Sequence, residues 1–360
     1  MVPTSEDELA GVIRDATGPL AVRGGGTRGV SVAGEEVSTA GLTGITLYEP
    51  GALTLVVRAG TPLAEVEAAL ATEGQRLAFE PSDLRSLLGT DGTPTIGGVV
   101  ATNASGPRRI QVGACRDHLL GVRFVDGAGT IVKNGGRVMK NVTGYDLVKL
   151  LAGSHGTLGV LTEVSLKVLP LPQATTTLTV SDLEVDQAVA AMSAALGSPY
   201  DVTAAAWADG DVLVRLEGFA DSVAYRAKKL GAALGQHGTV SAGEVDWQAL
   251  RDARTFADKA GDVWRISIRP SAMPATVAAL RAGGPVEVLA DWGGGLLWVL
   301  CAAGRNLRTD VSSGHATRVR GAADSVIPHF HPEPAAVAAL SVALRARFDP
   351  RGILNPGVMG

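Results

Sequence analysis

The chain reads as a two-domain α+β protein, and three observations predict it. Its 360 residues exceed the roughly 100–200 of an ordinary domain. The first half alternates short strand-like runs with three glycine clusters, and the second half shows a β-α-β-β-α order that starts again. Hydrophobic residues make up 46% and mean hydropathy is +0.21, ample for two cores, while aromatics are only 4% and glycines number 46. Such a composition favours tight turns and close backbone approach to ligands. A net charge of −4 with no basic run argues against nucleic acid as a partner.

The acidic start, Met1-Val-Pro-Thr-Ser-Glu-Asp-Glu-Leu9, lacks the basic and apolar regions of a signal peptide, and no apolar run approaches the roughly 18 residues of a membrane span. Cys115 and Cys301 give neither a disulfide framework nor a metal-ligand pair. The expectation is a cytoplasmic protein, in which the sequons at Asn103 and Asn141 carry no meaning.

In chain order, a strand over 19–23 enters Gly24-Gly25-Gly26-Thr27-Arg28-Gly29, which satisfies G-x-G-x-x-G. A Rossmann site needs a helix next, whereas residues 30–41 are β-branched and punctuated by glycine, so that reading is rejected. A run of amides after a strand still suits a diphosphate, with Arg23 or Arg28 supplying charge. Strands follow at 45–49 and 53–58 around Pro50-Gly51, then a helix capped by Thr61 with the apolar stripe Leu63, Val66, Leu70, and a strand at 76–79.

The organising stretch is Pro94 to Arg109. Gly97 and Gly98 leave no side chain between their amides and a ligand, Thr95, Asn103 and Ser105 add short polar arms, and Arg108-Arg109 bring positive charge. Tight packing of a buried turn is the alternative reading. A hairpin over 120–133 turns at Asp126-Gly-Ala-Gly129. The third cluster leads from Tyr145-Asp146 through a short helix to Gly153-Ser-His-Gly-Thr-Leu-Gly159 and a strand at 160–168. Pro170 and Pro172 place a domain boundary near 171.

Beyond it, strands at 175–180, 204–207 and 212–216 with helices at 184–196 and 221–234 form half of a ferredoxin-like pattern. It recurs as a strand at 263–269, a helix near 275–281 and strands at 286–290 and 296–301. A last helix runs from Pro334 to Phe348. The predicted domains are 1–171, 172–333 as a cap, and 334–360 returning to the first.

Four motifs in order carry a resemblance: Arg23-Gly-Gly-Gly-Thr27; Thr95-Ile-Gly-Gly98 with Ala101, Asn103 and Gly106; Tyr145-Asp-Leu with Gly153-Ser-His-Gly-Thr-Leu-Gly-Val160; and Phe348-Asp-Pro-Arg-Gly-Ile-Leu-Asn-Pro-Gly357. The first half resembles the PCMH-type FAD-binding domain of the vanillyl-alcohol-oxidase flavoprotein superfamily. Ala290-Asp-Trp-Gly-Gly294, Gly314-His-Ala-Thr317 and Phe330-His-Pro-Glu-Pro334 make the chain similar to the FAD-binding E subunits of bacterial glycolate oxidase.

The resemblance implies that the first two motifs, through Arg109, hold the FAD diphosphate. It also implies that Gly156, Gly159 and Val160 lie along the flavin and adenine, and that Asn355 returns near the ring. Thr27 stands where some relatives carry a flavin-linked histidine, which implies non-covalent FAD. It further implies a complex with a larger flavoprotein and an iron–sulfur subunit, oxidising a 2-hydroxy acid such as glycolate to glyoxylate.

That chemistry asks for a base and a carboxylate clamp. His315 is the candidate base, with a structural histidine as the alternative. Arg265 and Arg269, on one face of a strand, are candidates for the clamp, with surface ion pairing as the alternative. Tyr145 and Lys140 are candidate wall residues. His329-Phe-His331 has H-x-H spacing without further ligands, so no metal is expected. A flavin-carrying relay or structural subunit remains open beside the enzyme, as does a stand-alone dehydrogenase.

Overall fold

The computed structural model describes residues 1–30, 32–138, 144–322 and 325–359. They form two units: Met1–Ser105, Gly113–Leu171 and Pro332–Gly360 in the first, Gly106–Val112 and Pro172–His331 in the second.

In the first unit β1 (Leu20–Arg23) pairs in parallel with β2 (Glu35–Ser38). The C-terminal tail extends this ribbon on its other side. Leu20 bridges Leu354, the Leu20 N–H donates to the Ile353 carbonyl at 2.8 Å, and the Asn355 N–H donates to the Leu20 carbonyl at 3.0 Å. The side chain of Asn355 completes the join. Its Oδ1 accepts the Val22 N–H at 2.7 Å, and its Nδ2 donates to the carbonyls of Val22 at 3.2 Å and His155 at 2.8 Å.

Beside it, β3 (Ile45–Glu49), β4 (Thr54–Arg58), β6 (Leu119–Val125), β7 (Ile131–Gly135) and β8 (Val160–Lys167) form an antiparallel sheet in the order β3-β4-β8-β6-β7. β5 (Gln75–Arg76) and β9 (Leu169–Pro170) make a small ribbon. Alternating residues such as Leu55, Val57, Val122, Phe124 and Val164 turn inward onto the helices Leu63–Ala71 and Ile96–Ala101. The β6–β7 turn is held by Asp126, whose Oδ1 accepts the N–H groups of Ala128 and Thr130. Thr61 is not the cap expected of it. Pro62 precedes the helix without a side-chain bond, and the Thr61 hydroxyl accepts from Gly44 and donates to the Arg58 carbonyl.

The second unit is one eight-stranded antiparallel sheet made of β10 (Ala174–Val180), β11 (Val202–Ala208), β12 (Asp211–Gly218), β13 (Val240–Gly243), β14 (Asp262–Ser267), β15 (Val286–Asp291), β16 (Leu296–Cys301) and β17 (His315–Arg320). The order β13-β10-β12-β11-β15-β16-β14-β17 is two copies of the ferredoxin-like order, joined edge to edge where Trp207 of β11 faces Ala290 of β15. Helices Val185–Leu196, Ala220–Leu234 and Met273–Ala282 share one core with its strands, through Met192, Leu230, Val277, Trp264 and Leu297 among others.

Residues 106–112, which the sequence reading leaves in the first domain, cluster with the second unit. Arg108 and Glu217, both buried, pair at 2.5 Å, and Ile110 packs on the core. A buried charge left without its partner is strongly unfavourable, so this contact anchors the segment.

The tail join yields a test. Asn355→Ala strips the Val22 N–H and carbonyl of buried partners and leaves alanine at a φ of +44°. The variant is expected to lose about 2–4 kcal/mol of unfolding free energy in urea. A loss below about 1 kcal/mol would contradict the assigned role.

Candidate functional site

In the first unit a cavity of about 410 Å³, within the size range of small-molecule sites, opens between the loop after β1, the helix Ile96–Ala101, His155 and the tail. Its floor is made by glycines that bring two loops into backbone contact. A Cβ on Gly25 would overlap the Thr93 carbonyl, and one on Gly24 would overlap the Thr95 hydroxyl. Gly26, at a φ of +68°, turns the loop where other residues are strained. Among the described residues, the N–H groups of Gly24, Gly25, Gly26 and Thr27 have no protein acceptor. Thr27 is buried, and Arg23 and Arg28 also line the cavity. Arg23 pairs with Glu36 at 2.7 Å, both largely exposed, a contact of small energy that leaves the guanidinium available to an anion. Consecutive amides flanked by arginines suit a dinucleotide diphosphate.

Of the residues anticipated here, Arg23, Gly24, Gly25, Gly26, Thr27, Thr95, Gly98, Ala101 and Asn355 line the cavity. The amides of Gly97 and Gly98 are not offered to a ligand as anticipated. Residues 96–101 form a helix, and its first N–H groups are spent inside the protein. Gly97 donates to the Ala59 carbonyl at 2.8 Å and Gly98 to the Thr95 hydroxyl at 3.2 Å. Gly97 is a packing glycine, since a Cβ there would lie 2.7 Å from both the Cβ and the carbonyl oxygen of Ala59.

Asn103 and Ser105 accept the N–H groups of Arg116 and Cys115, each at 2.9 Å, and fix the following turn. Gly106 and Arg109 belong to the second unit. Gly156 sits against the Asn355 amide, where a Cβ would come within 2.9 Å. Gly159 packs on Phe124 and Val160 is core, so these residues support the wall without forming it. Asn355 spends its amide on Val22 and His155, which makes it a pin for the wall.

His155 lines the cavity at a φ of +51°, its N–H donating to the Ala101 carbonyl at 2.9 Å. In the sequence it lies within Gly153-Ser-His-Gly156, where the flanking glycines point to backbone contacts alone.

In the second unit, the β14–β17 register sets Ser267 opposite His315 and Arg265 opposite Thr317. Paired residues in antiparallel strands share a face, so Arg265 and His315 point the same way. The Arg265 guanidinium lies 5.0 Å from the centre of the Trp292 ring and that of Arg109 lies 4.4 Å from it. The Trp292 indole N–H donates to the Gly106 carbonyl at 3.0 Å, and its backbone N–H to buried Asp291 at 2.6 Å. Burial, reinforced by Arg109, pushes Arg265 down to about 10, with Asp291 acting the other way. Burial first, then Arg265, His331 and Arg109, lowers the His315 pKa below the usual histidine value.

Arg269 is exposed beyond the end of β14 and does not join Arg265. Tyr145 is 88% exposed and belongs to the first unit, apart from the residues that line its cavity. Lys140 lies outside the described residues. His331 accepts the Ala316 N–H at 3.1 Å through Nδ1, and His329 is pushed down to about 4 by burial beside Arg318 and Arg308. Among the described residues no His, Cys, Asp and Glu side chains gather into a metal site, and no helix is long and apolar enough to cross a membrane.

Residues 1–135 match the family described as FAD binding domain. Over 360 aligned residues, 98% of this chain and 95% of the relative, the chain is 37% identical to glycolate oxidase subunit GlcE of Escherichia coli. It is 30% identical to glycolate oxidase subunit GlcD of Bacillus subtilis over 47% of this chain and 34% of that protein. Against a D-lactate dehydrogenase of Archaeoglobus fulgidus it is 33% identical over 47% and 38%. A solved alkyldihydroxyacetonephosphate synthase superposes with a TM-score of 0.69 at 16% identity, covering 99% of this chain and 75% of that one, which fixes the fold as PCMH-type. With an FAD-binding first domain whose cavity offers the amides and arginines a diphosphate needs, the chain belongs to the family of the glycolate oxidase subunit GlcE.

Proposed function

We propose that the chain is the FAD-carrying subunit of a cytoplasmic glycolate oxidase, working with a second flavoprotein of the GlcD kind and an iron–sulfur subunit. The observation that carries this reading is the run of acceptor-free amides, Gly24 to Thr27, in a chain that matches GlcE along nearly its whole length. Thr27, which ends the glycine run and lines the cavity, has no imidazole nitrogen in its side chain for a flavin bond, so the cofactor is held without a covalent link.

Glycolate becomes glyoxylate by losing its hydroxyl proton and its α-hydrogen, and bound FAD supplies the acceptor for two electrons. Arg265 offers a planar fork to the carboxylate. His315 is neutral at pH 7, because burial and the charges of Arg265, His331 and Arg109 oppose its protonation, and it takes the hydroxyl proton on a ring nitrogen.

The cavity assignment is tested by two neighbouring glycines. A Cβ on Gly98 meets only the Thr95 hydroxyl, at 3.3 Å, so Gly98→Ala needs a shift of a few tenths of an ångström there and should still fold, while its methyl is added to a residue that lines the cavity. FAD released by acid precipitation should fall, with affinity reduced about tenfold or more. Gly97→Ala should instead destabilise the fold. Unchanged FAD affinity in a folded Gly98→Ala would remove the cavity from cofactor binding.

The catalytic assignment is tested by reducing the purified holoprotein anaerobically with glycolate or D-lactate. Reduction should persist below pH 6.5 and decline only as His315 finally protonates, since its lowered pKa keeps the base form present through neutral pH. His315→Gln should slow reduction about 10²- to 10⁴-fold and abolish that acid limb. A flavin that stays oxidised with either acid would make the chain a relay whose substrate is consumed elsewhere.

A further inference from the structure

The C-terminal helix Ala335–Phe348 of the first unit is built inside out, and none of its residues is buried. The side turned toward its own unit carries Ala338, Ser341, Arg345 and Phe348, all half-buried and spaced at i, i+3, i+7 and i+10. That side is anchored at its end, where the Phe348 ring lies 6.1 Å from that of Phe124 and the Phe348 carbonyl accepts the Gly127 N–H at 2.8 Å. The outer side carries Ala336, Val337, Leu340, Ala343, Leu344 and Arg347, all exposed, with Leu340 at 73%. A surface helix ordinarily turns its apolar stripe inward and its polar residues out, whereas here Ser341 and Arg345 face in and Leu340 faces out. The outer residues also repeat at seven, as 336 and 343, 337 and 344, 340 and 347, which is the spacing of a seam between two helices.

That seam is complementary to itself when reversed. In two such helices laid antiparallel about Leu340, residues equally far on either side of it meet. Leu340 then faces its own counterpart, Val337 meets Ala343 and Ala336 meets Leu344, so each large side chain beyond the centre lies opposite a small one. Glu333 and Arg347 stand seven residues before and after Leu340 and meet with opposite charge at both ends. Both are exposed, and among the described residues neither makes a hydrogen bond or ion pair within its own chain. A parallel pair would instead set Glu333 beside Glu333 and Arg347 beside Arg347. A membrane is the poorer match, because a helix of 14 residues is about 21 Å long, short of the roughly 30 Å hydrocarbon core, and the chain is acidic.

We propose that Ala335–Phe348 is a self-association helix, through which the chain pairs with a second copy in an antiparallel, two-fold symmetric contact centred on Leu340. The pairing uses the same surface on both copies, so association stops at two. A helix pair of this length buries about 300 Å² on each side, below the roughly 800 Å² per partner of a stable interface, so the dimer forms reversibly as concentration rises. This goes beyond the reading of the chain as a glycolate oxidase subunit and does not depend on it.

The test is sedimentation velocity of the FAD-loaded full-length protein between about 1 and 200 μM. The wild-type mass should rise from one chain toward two and go no further. Leu340→Asp sets two carboxylates together at the axis and should stay a single chain throughout, and because Leu340 is exposed the variant should keep wild-type FAD content and thermal unfolding. Arg347→Glu and Glu333→Arg each bring like charges together at both ends, and each should weaken the dimer about tenfold. Mixing these two variants restores opposite charges at both ends, so the mixture should dimerise as the wild type does.

A mass of one chain at every concentration overturns the proposal, whatever other partner the helix meets. So does a dimer that Leu340→Asp leaves intact, or a mixture of the two charge variants that associates no better than either alone. Early unfolding or loss of FAD in Leu340→Asp overturns it as well, by making the outer side of the helix part of the fold.

Discussion

Peptide N–H groups that find no acceptor must meet water or a ligand, and among the described residues the first unit arranges four such groups in a row at Gly24 to Thr27. Much of its architecture serves to hold that loop open. β1 is paired on one side by β2 and on the other by the tail, and Asn355 closes the second join through the backbone of Val22 and His155. The helix behind the loop spends its own first amides on Ala59 and Thr95, so donor capacity is concentrated in the glycine loop.

The second unit solves a different electrostatic problem. Its sheet doubles a ferredoxin-like unit, which gives a broad face without exposed central edges. On that face Arg265 and His315 come together by register, and Arg109 is brought in by a segment covalently continuous with the glycine helix of the first unit. Burial first, and then the charges of Arg265, His331 and Arg109, lower the His315 pKa, so the site proposed for a carboxylate also disfavours the protonated imidazole.

Some of this was legible in the sequence and some was not, for physical reasons. The loop at 23–27 was legible because glycine spacing after a strand constrains the backbone directly. The fate of the Gly97 and Gly98 amides was not, because the acceptors at Ala59 and Thr95 are set by how a short helix docks. The attachment of 106–112 to the second unit was hidden because Arg108 finds Glu217 109 positions away. Trp292 was noticeable in an aromatic-poor chain, but its left-handed backbone and its two arginines exist only in three dimensions. The doubled sheet was foreshadowed by the repeated strand and helix order, whereas its edge-to-edge join depends on a single paired position.

The central claim is that the free amides of the glycine loop hold the cofactor, and amide hydrogen exchange read at Gly24 to Thr27 tests it most directly. Adding FAD to the flavin-stripped protein should slow exchange at these four positions by about tenfold or more, while Gly97 and Gly98, already bonded internally, change little. Equal exchange at residues 24–27 with and without FAD, in protein that has taken up the cofactor, would contradict the account.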